Sequence, residues 1–182
     1  MEFAGIFIKS STKLLHLFQH FDMEKKTISF EYQIIPGQDR LERNYRALLE
    51  KAGEALKEAY APYSEFKVGA SLVDAEGNIF TGANMENASY PMCICAEGAL
   101  LSAYNTSGSK APILAVAITA TSSSHVVDHP VAPCGACRQM LSEMEMKQGQ
   151  PIRLILQGSE GPVYIIDKVS DVLPLGFSGE EL

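Results

Sequence analysis

Between residues 28 and 34, apolar Ile28, Phe30, Tyr32 and Ile34 alternate with Ser29, Glu31 and Gln33, the two-residue period of a half-buried strand at a sheet edge. Pro36 and Gly37 end that pattern. Leu41, Tyr45, Leu48, Leu49, Ala52, Leu56 and Ala59 then recur at helical spacing until Pro62, which predicts a helix over residues 40–60. Residues 66–73 and 79–83 flank Asp74-Ala75-Glu76-Gly77-Asn78, whose residue types tolerate a tight turn, so the pair reads as a hairpin. Cys95 opens a helix rich in alanine and leucine that runs to about Tyr104. The continuous apolar run 113–120 suits a strand buried on both faces. A polar loop over 121–131 leads through Pro133 to a helix over 134–145, and strands over 152–156 and 163–166 follow, separated by Gly158-Ser159-Glu160-Gly161. The order β-α-β-β-α-β-α-β-β has no linker long enough to divide it. Strands this apolar must be hidden on both sides, which predicts an α/β fold, a three-layer α/β/α sandwich with a mixed central sheet.

Composition adds boundaries to this picture. A chain of 182 residues has the size of one domain with a full core. Its net charge of -7 offers no attractive field for a phosphate backbone or an anionic membrane, so neither a nucleic acid polymer nor a membrane is expected as partner. Near the start, the apolar patches at 3–7 and 14–21 are interrupted by Lys9, Ser10, Ser11, Thr12 and Lys13. Neither is long enough to span a bilayer, and the features of a secretory signal are missing. Met23, followed by Glu24-Lys25-Lys26-Thr27, points to residues 1–22 as a mis-called upstream extension and to residues 23–182 as the single domain, working in the cytosol.

Four cysteines cluster at positions 93, 95, 134 and 137. A chain of this length needs no disulfide staples, and close pairs of this kind mark metal or redox sites. Cys134 and Cys137 lie three apart, on one face of a helical turn, where the amides of a helix start favour thiolate. Cys95, at the start of another predicted helix, makes a third ligand. Three sulfurs leave one position of a tetrahedral zinc ion open to water, which is the catalytic arrangement. Glu97, two residues beyond Cys95, is close enough to take a proton from that water without being a ligand. Cys93 reads as a small buried residue, because a fourth thiolate would close the site. Taken alone, Cys-x-x-Cys is shared with dithiol redox motifs and structural zinc knuckles. His125 and His129 fall in a polar loop and His16 and His20 in the N-terminal stretch, so all four contribute little.

Cys95-Ala96-Glu97 together with Pro133-Cys134-Gly135-Ala136-Cys137 is similar to the zinc deaminase signature, with cysteine at the position that histidine can also fill. With Ala61-Pro62-Tyr63-Ser64-Glu65-Phe66-Lys67-Val68-Gly69-Ala70, Asn84-Met85-Glu86-Asn87-Ala88-Ser89-Tyr90 and Arg138-Gln139, the chain from Arg40 onward resembles the homotetrameric cytidine deaminase family. The resemblance implies one Zn2+ per subunit held by Cys95, Cys134 and Cys137. It makes Glu97 the proton carrier between water, a ring nitrogen and the departing amine of a small-molecule nucleoside. It implies that Asn84 and Glu86 hold the ribose 3′-hydroxyl, although a solvated strand end would look the same. Phe66 packs on the pyrimidine in this picture, where a plain core phenylalanine is the alternative, and the backbone of Ala96 meets the base. Ala88, Tyr90 and Phe177 are expected to cross subunit interfaces, so that each site of a homotetramer is shared. One position departs: an arginine often follows the catalytic glutamate and hydrogen-bonds the thiolates, and here Gly98 stands there, which transfers that load to Arg138. The rivals are a related zinc deaminase of another base or nucleoside analogue, of which a drug-resistance deaminase acting on blasticidin S would have no ribose for Asn84 and Glu86, and a structural-zinc module, which would have no use for Glu97.

Overall fold

In the computed structural model, which describes residues 24–179, the chain runs β1 (Gln33–Ile35), α1 (Arg43–Ala55), β2 (Phe66–Asp74), β3 (Ile79–Ala83), α2 (Ala96–Ser107), β4 (Ile113–Ser122), α3 (Gly135–Gln148), β5 (Arg153–Leu156) and β6 (Val163–Ile166). The expectation for residues 1–22 lies outside the described residues. The six strands form one sheet in the order β1-β6-β5-β4-β2-β3. Only β4 and β5 are parallel, which makes the sheet mixed.

Strand alternation decides the layers. Val116 and Ile118 of β4, with Leu154 and Leu156 of β5, pack under Leu100, Leu101 and Tyr104 of α2 and Leu141 of α3. Ala115, Ala117 and Ile155 point the other way, against Leu48, Leu49 and Ala52 of α1. One helix therefore covers one face and two cover the other, the expected sandwich. The contact of α2 with β3 is close enough to demand glycine: a Cβ on Gly82 would lie 2.4 Å from the Leu100 nitrogen. That closeness fixes where α2 begins, and α2 begins at the metal-binding motif.

Two expectations are corrected. Of the strand predicted over 28–34, the ladder forms only at 33–35. Gln33 already lies opposite Ile165, and the antiparallel partner β6 ends at Ile166, so the chain before Tyr32 has run past it. The first helix is shorter than 40–60: α1 stops at Ala55 and a single 3-10 turn, Leu56–Glu58, follows. The backbone is extended at Ala59, and the Tyr60 N–H is drawn away to the Asn84 carbonyl at 3.0 Å.

Candidate metal centre

The cysteines sit where the helices begin. Cys95 is the N-cap of α2 and Cys134 the N-cap of α3, and each carbonyl accepts a bond from the amide four residues on, Ala99 at 3.0 Å and Arg138 at 2.9 Å. Cys137 follows one turn into α3. The three sulfurs all lie within 4.8 Å of one another. Cys95 Sγ is 4.0 Å from Cys134 Sγ, which is 3.4 Å from Cys137 Sγ. Zinc–sulfur bonds of about 2.3 Å in a tetrahedron set sulfurs about 3.8 Å apart, so the donor set and spacing fit zinc with small adjustments.

Three thiols packed this closely resist ionising together. Burial pushes the Cys137 thiol far up, the neighbouring Glu97 carboxylate adds to it, and burial raises Cys95 as well. Cys134 moves the other way, because its sulfur receives the Cys137 amide and, more weakly, that of Ala136. The turn that starts α3 thus offers main-chain donors to a thiolate, and a coordinated metal ionises all three thiols.

Glu97, the second residue of α2, is only 5% exposed. It borders a cavity of about 300 Å³ together with Cys95, Cys134, Ala96, Asn84 and Glu86. With Cys93, which also lines it, the cavity brings together seven of the residues singled out in the sequence. Val68, Met85, Ile94, Val131 and Ala132 make up the rest of the wall, and none of them had been given a role in the site. Val68 was within reach, since it lies two residues beyond Phe66 and shares its face of β2. The loop residues Val131 and Ala132 carried no signal beyond their place before Pro133.

Asn84 and Glu86 are tied to neighbouring residues rather than left free at the strand end. Asn84 accepts the Val68 N–H at 2.8 Å and donates to the Phe66 carbonyl at 2.9 Å, pairing by its side chain with β2. Glu86 accepts the hydroxyl of Ser64 and the amides of Tyr63 at 2.8 Å and Ser64 at 3.2 Å. The Ser64 hydroxyl, then the Tyr63 amide, hold its carboxyl below the ordinary range. Phe66 is half-buried at the head of β2 and outside the cavity wall. Ala88, Tyr90 and Phe177 are exposed, with the Tyr90 ring edge-on to Tyr63 at 6.4 Å.

Two further expectations are corrected. Cys93 is exposed rather than buried, its sulfur accepting the Asn87 N–H at 3.3 Å in a tight turn. Arg138 spends its donors on main-chain carbonyls instead of thiolates: Nε on Pro133 at 2.8 Å and Nη1 on Val172 at 3.0 Å. It therefore acts on the centre indirectly, clamping the residue before Cys134. Arg138→Ala is expected to weaken zinc about 10–100-fold, the usual cost of losing an outer-shell partner, as read by competition with a chelating dye. Unchanged affinity would show that the turn holds itself. At Gly98 a Cβ would meet Ile94 and Met140 at 3.7 Å, ordinary contacts, so packing does not enforce glycine there.

Comparison with known proteins agrees with this arrangement. Residues 42–150 match the family model for the cytidine and deoxycytidylate deaminase zinc-binding region. A cytidine deaminase of Halalkalibacterium halodurans is 38% identical over 136 residues, covering 74% of this chain and 95% of its own. One from Sporosarcina psychrophila is 34% identical over 143 residues, covering 74% and 92%. The crystal structure of cytidine deaminase from Burkholderia pseudomallei superposes with a TM-score of 0.63 at 39% identity, over 75% of this chain and 100% of that one. Among the described residues no helix is long and apolar enough to cross a membrane. With the model matched across both cysteine motifs and the helices that carry them, this chain belongs to the cytidine and deoxycytidylate deaminase zinc-binding family.

Proposed function

We propose that this chain hydrolyses the 4-amino group of cytidine and deoxycytidine, giving the uracil nucleoside and ammonia. The observation that carries the reading is a buried carboxylate, Glu97, set at a cavity beside three convergent cysteine sulfurs. Zinc held by Cys95, Cys134 and Cys137 supplies acidity to water near neutral pH. Glu97 takes one proton of the attacking water as oxygen bonds to C4 and passes it to the adjacent ring nitrogen, then moves the remaining proton of that oxygen to the amine as the C–N bond breaks and the C4 carbonyl forms. Water enters and ammonia leaves, so atoms and charge balance.

Substrate contacts follow from the wall of the cavity. Ala96 presents backbone toward the base. Asn84 and Glu86, each already anchored to main chain, hold the ribose hydroxyl with little freedom left to lose on binding. Phe66, assigned by the family resemblance and lying outside that wall, stacks on the pyrimidine from the head of β2. Tyr90, 73% exposed, and Phe177, 58% exposed, are the wrong residues to leave in water, which supports a homotetramer in which they and Ala88 complete neighbouring sites. The acidic chain and small cavity suit a free nucleoside in cytosolic pyrimidine salvage rather than a polymer. Zinc-loaded protein incubated with cytidine is expected to lower the ultraviolet absorbance of the cytosine ring and release one ammonia per nucleoside. A zinc-loaded chain that releases none overturns the assignment.

A further inference from the structure

The sheet ends at β1, whose outer edge faces no strand among the described residues. The segment leading into it, residues 24–32, belongs to no helix or strand. Yet its large side chains and one of β1 are left in water: Ile28 is 58% exposed, Phe30 43% and Tyr32 46%, and Ile34 of β1 56%. In strand conformation these four share one face, and the aromatic row is already begun, with Phe30 and Tyr32 6.2 Å apart and Tyr32 4.9 Å from Tyr164 of β6. Lys25, Thr27, Ser29, Glu31 and Gln33 form the other face. Natural edges are guarded by proline, bulges or charges turned inward, and between residues 27 and 35 there is no proline and the lone charge, Glu31, lies on the polar face.

We propose that this segment pairs antiparallel with the same segment of a second copy of this chain, about a two-fold axis at Ile28. Charge selects both partner and direction. An axis at residue 28 brings residue 25 opposite residue 31 of the other copy, so Lys25 meets Glu31 twice, once on each side. The same register sets Lys26 against Phe30, cation over ring, and Ile28 against itself. A parallel, in-register pairing would instead stack lysine on lysine and glutamate on glutamate. The two-residue period confines the axis to positions that keep apolar face on apolar face, and residue 28 is the one that also matches the charges. A two-stranded ribbon alone is marginal in water, but each strand here continues into β1 of a six-stranded sheet, which anchors both ends.

The test uses the full chain. Ile28→Lys and Ile28→Glu each set like charges against each other on the axis, and each is expected to weaken self-association about tenfold or more. In sedimentation equilibrium the assembly mass should fall by half in either variant, with circular dichroism unchanged. An equimolar mixture of the two variants should recover the wild-type mass, because lysine then meets glutamate. Lys25→Glu with Glu31→Lys in one chain should likewise recover what each alone loses. Wild-type mass in both Ile28 variants overturns the proposal. So does a mixture that stays light, which would mean that residues 1–22 or a different protein covers the patch.

Discussion

Glu97→Gln is expected to lower cytidine turnover by about 10²–10⁴-fold while zinc stays bound. The amide fills the same space in a site where Glu97 is 5% exposed, so packing is kept and only the proton carrier is lost. The loss corresponds to about 3–5 kcal/mol of barrier. Metal retention should not suffer, because Glu97 is among the charges that hold the Cys95 and Cys137 thiols above their ordinary range, and removing it eases their ionisation. Zinc content by atomic emission and turnover by ammonia release therefore separate. Turnover within tenfold of wild type in a fully zinc-loaded variant would remove Glu97 from the chemistry and leave the sulfurs a structural centre.

The legible parts of this fold are those with local causes. The hairpin of β2 and β3 follows from two apolar runs around a turn, and both cysteine motifs announce helix starts, which the N-cap positions of Cys95 and Cys134 bear out. Where the partner is remote, local pattern misleads. Residues 28–32 have strand periodicity, but the neighbour that would pair with them ends at Ile166. Arg138 stands next to a metal ligand in sequence, yet a helix turns its side chain to the carbonyls of Pro133 and Val172. Asn84 and Glu86 follow the end of β3, as the sequence pattern placed them, while their position beside the cavity and their anchoring bonds to residues 63–68 depend on a fold that brings that turn alongside. The most consequential residue without a motif was Glu145. Its signal was periodic: Cys137, Leu141 and Glu145 fall on the same stripe of α3, so a carboxylate continues an inward-facing row.

Glu145→Ala is expected to destabilise the fold by about 3–5 kcal/mol, because the buried carboxylate satisfies three main-chain donors at once. Its Oε2 accepts the amides of Ile152 and Val169, each at 2.8 Å, and Oε1 accepts Ser170 at 3.0 Å. The first of these fixes the entry to β5. The other two fix the 3-10 turn Val169–Val172, whose two valines belong to the core under α2 and α3. Arg138 lies seven residues earlier, two helical turns along the same face of α3, and holds the far end of that turn through the Val172 carbonyl. Two side chains of one helix therefore staple the turn that carries the chain toward Phe177. Glu145→Gln keeps the shape but offers one acceptor oxygen and sets an NH2 group against an N–H, so it should lose about half as much. In urea denaturation the midpoint should fall in the order wild type, Gln, Ala, with zinc binding kept under native conditions, since Cys134 and Cys137 are positioned at the other end of α3. Equal midpoints for all three would mean that water can replace the carboxylate, and that the turn is held by its valines and Arg138 alone.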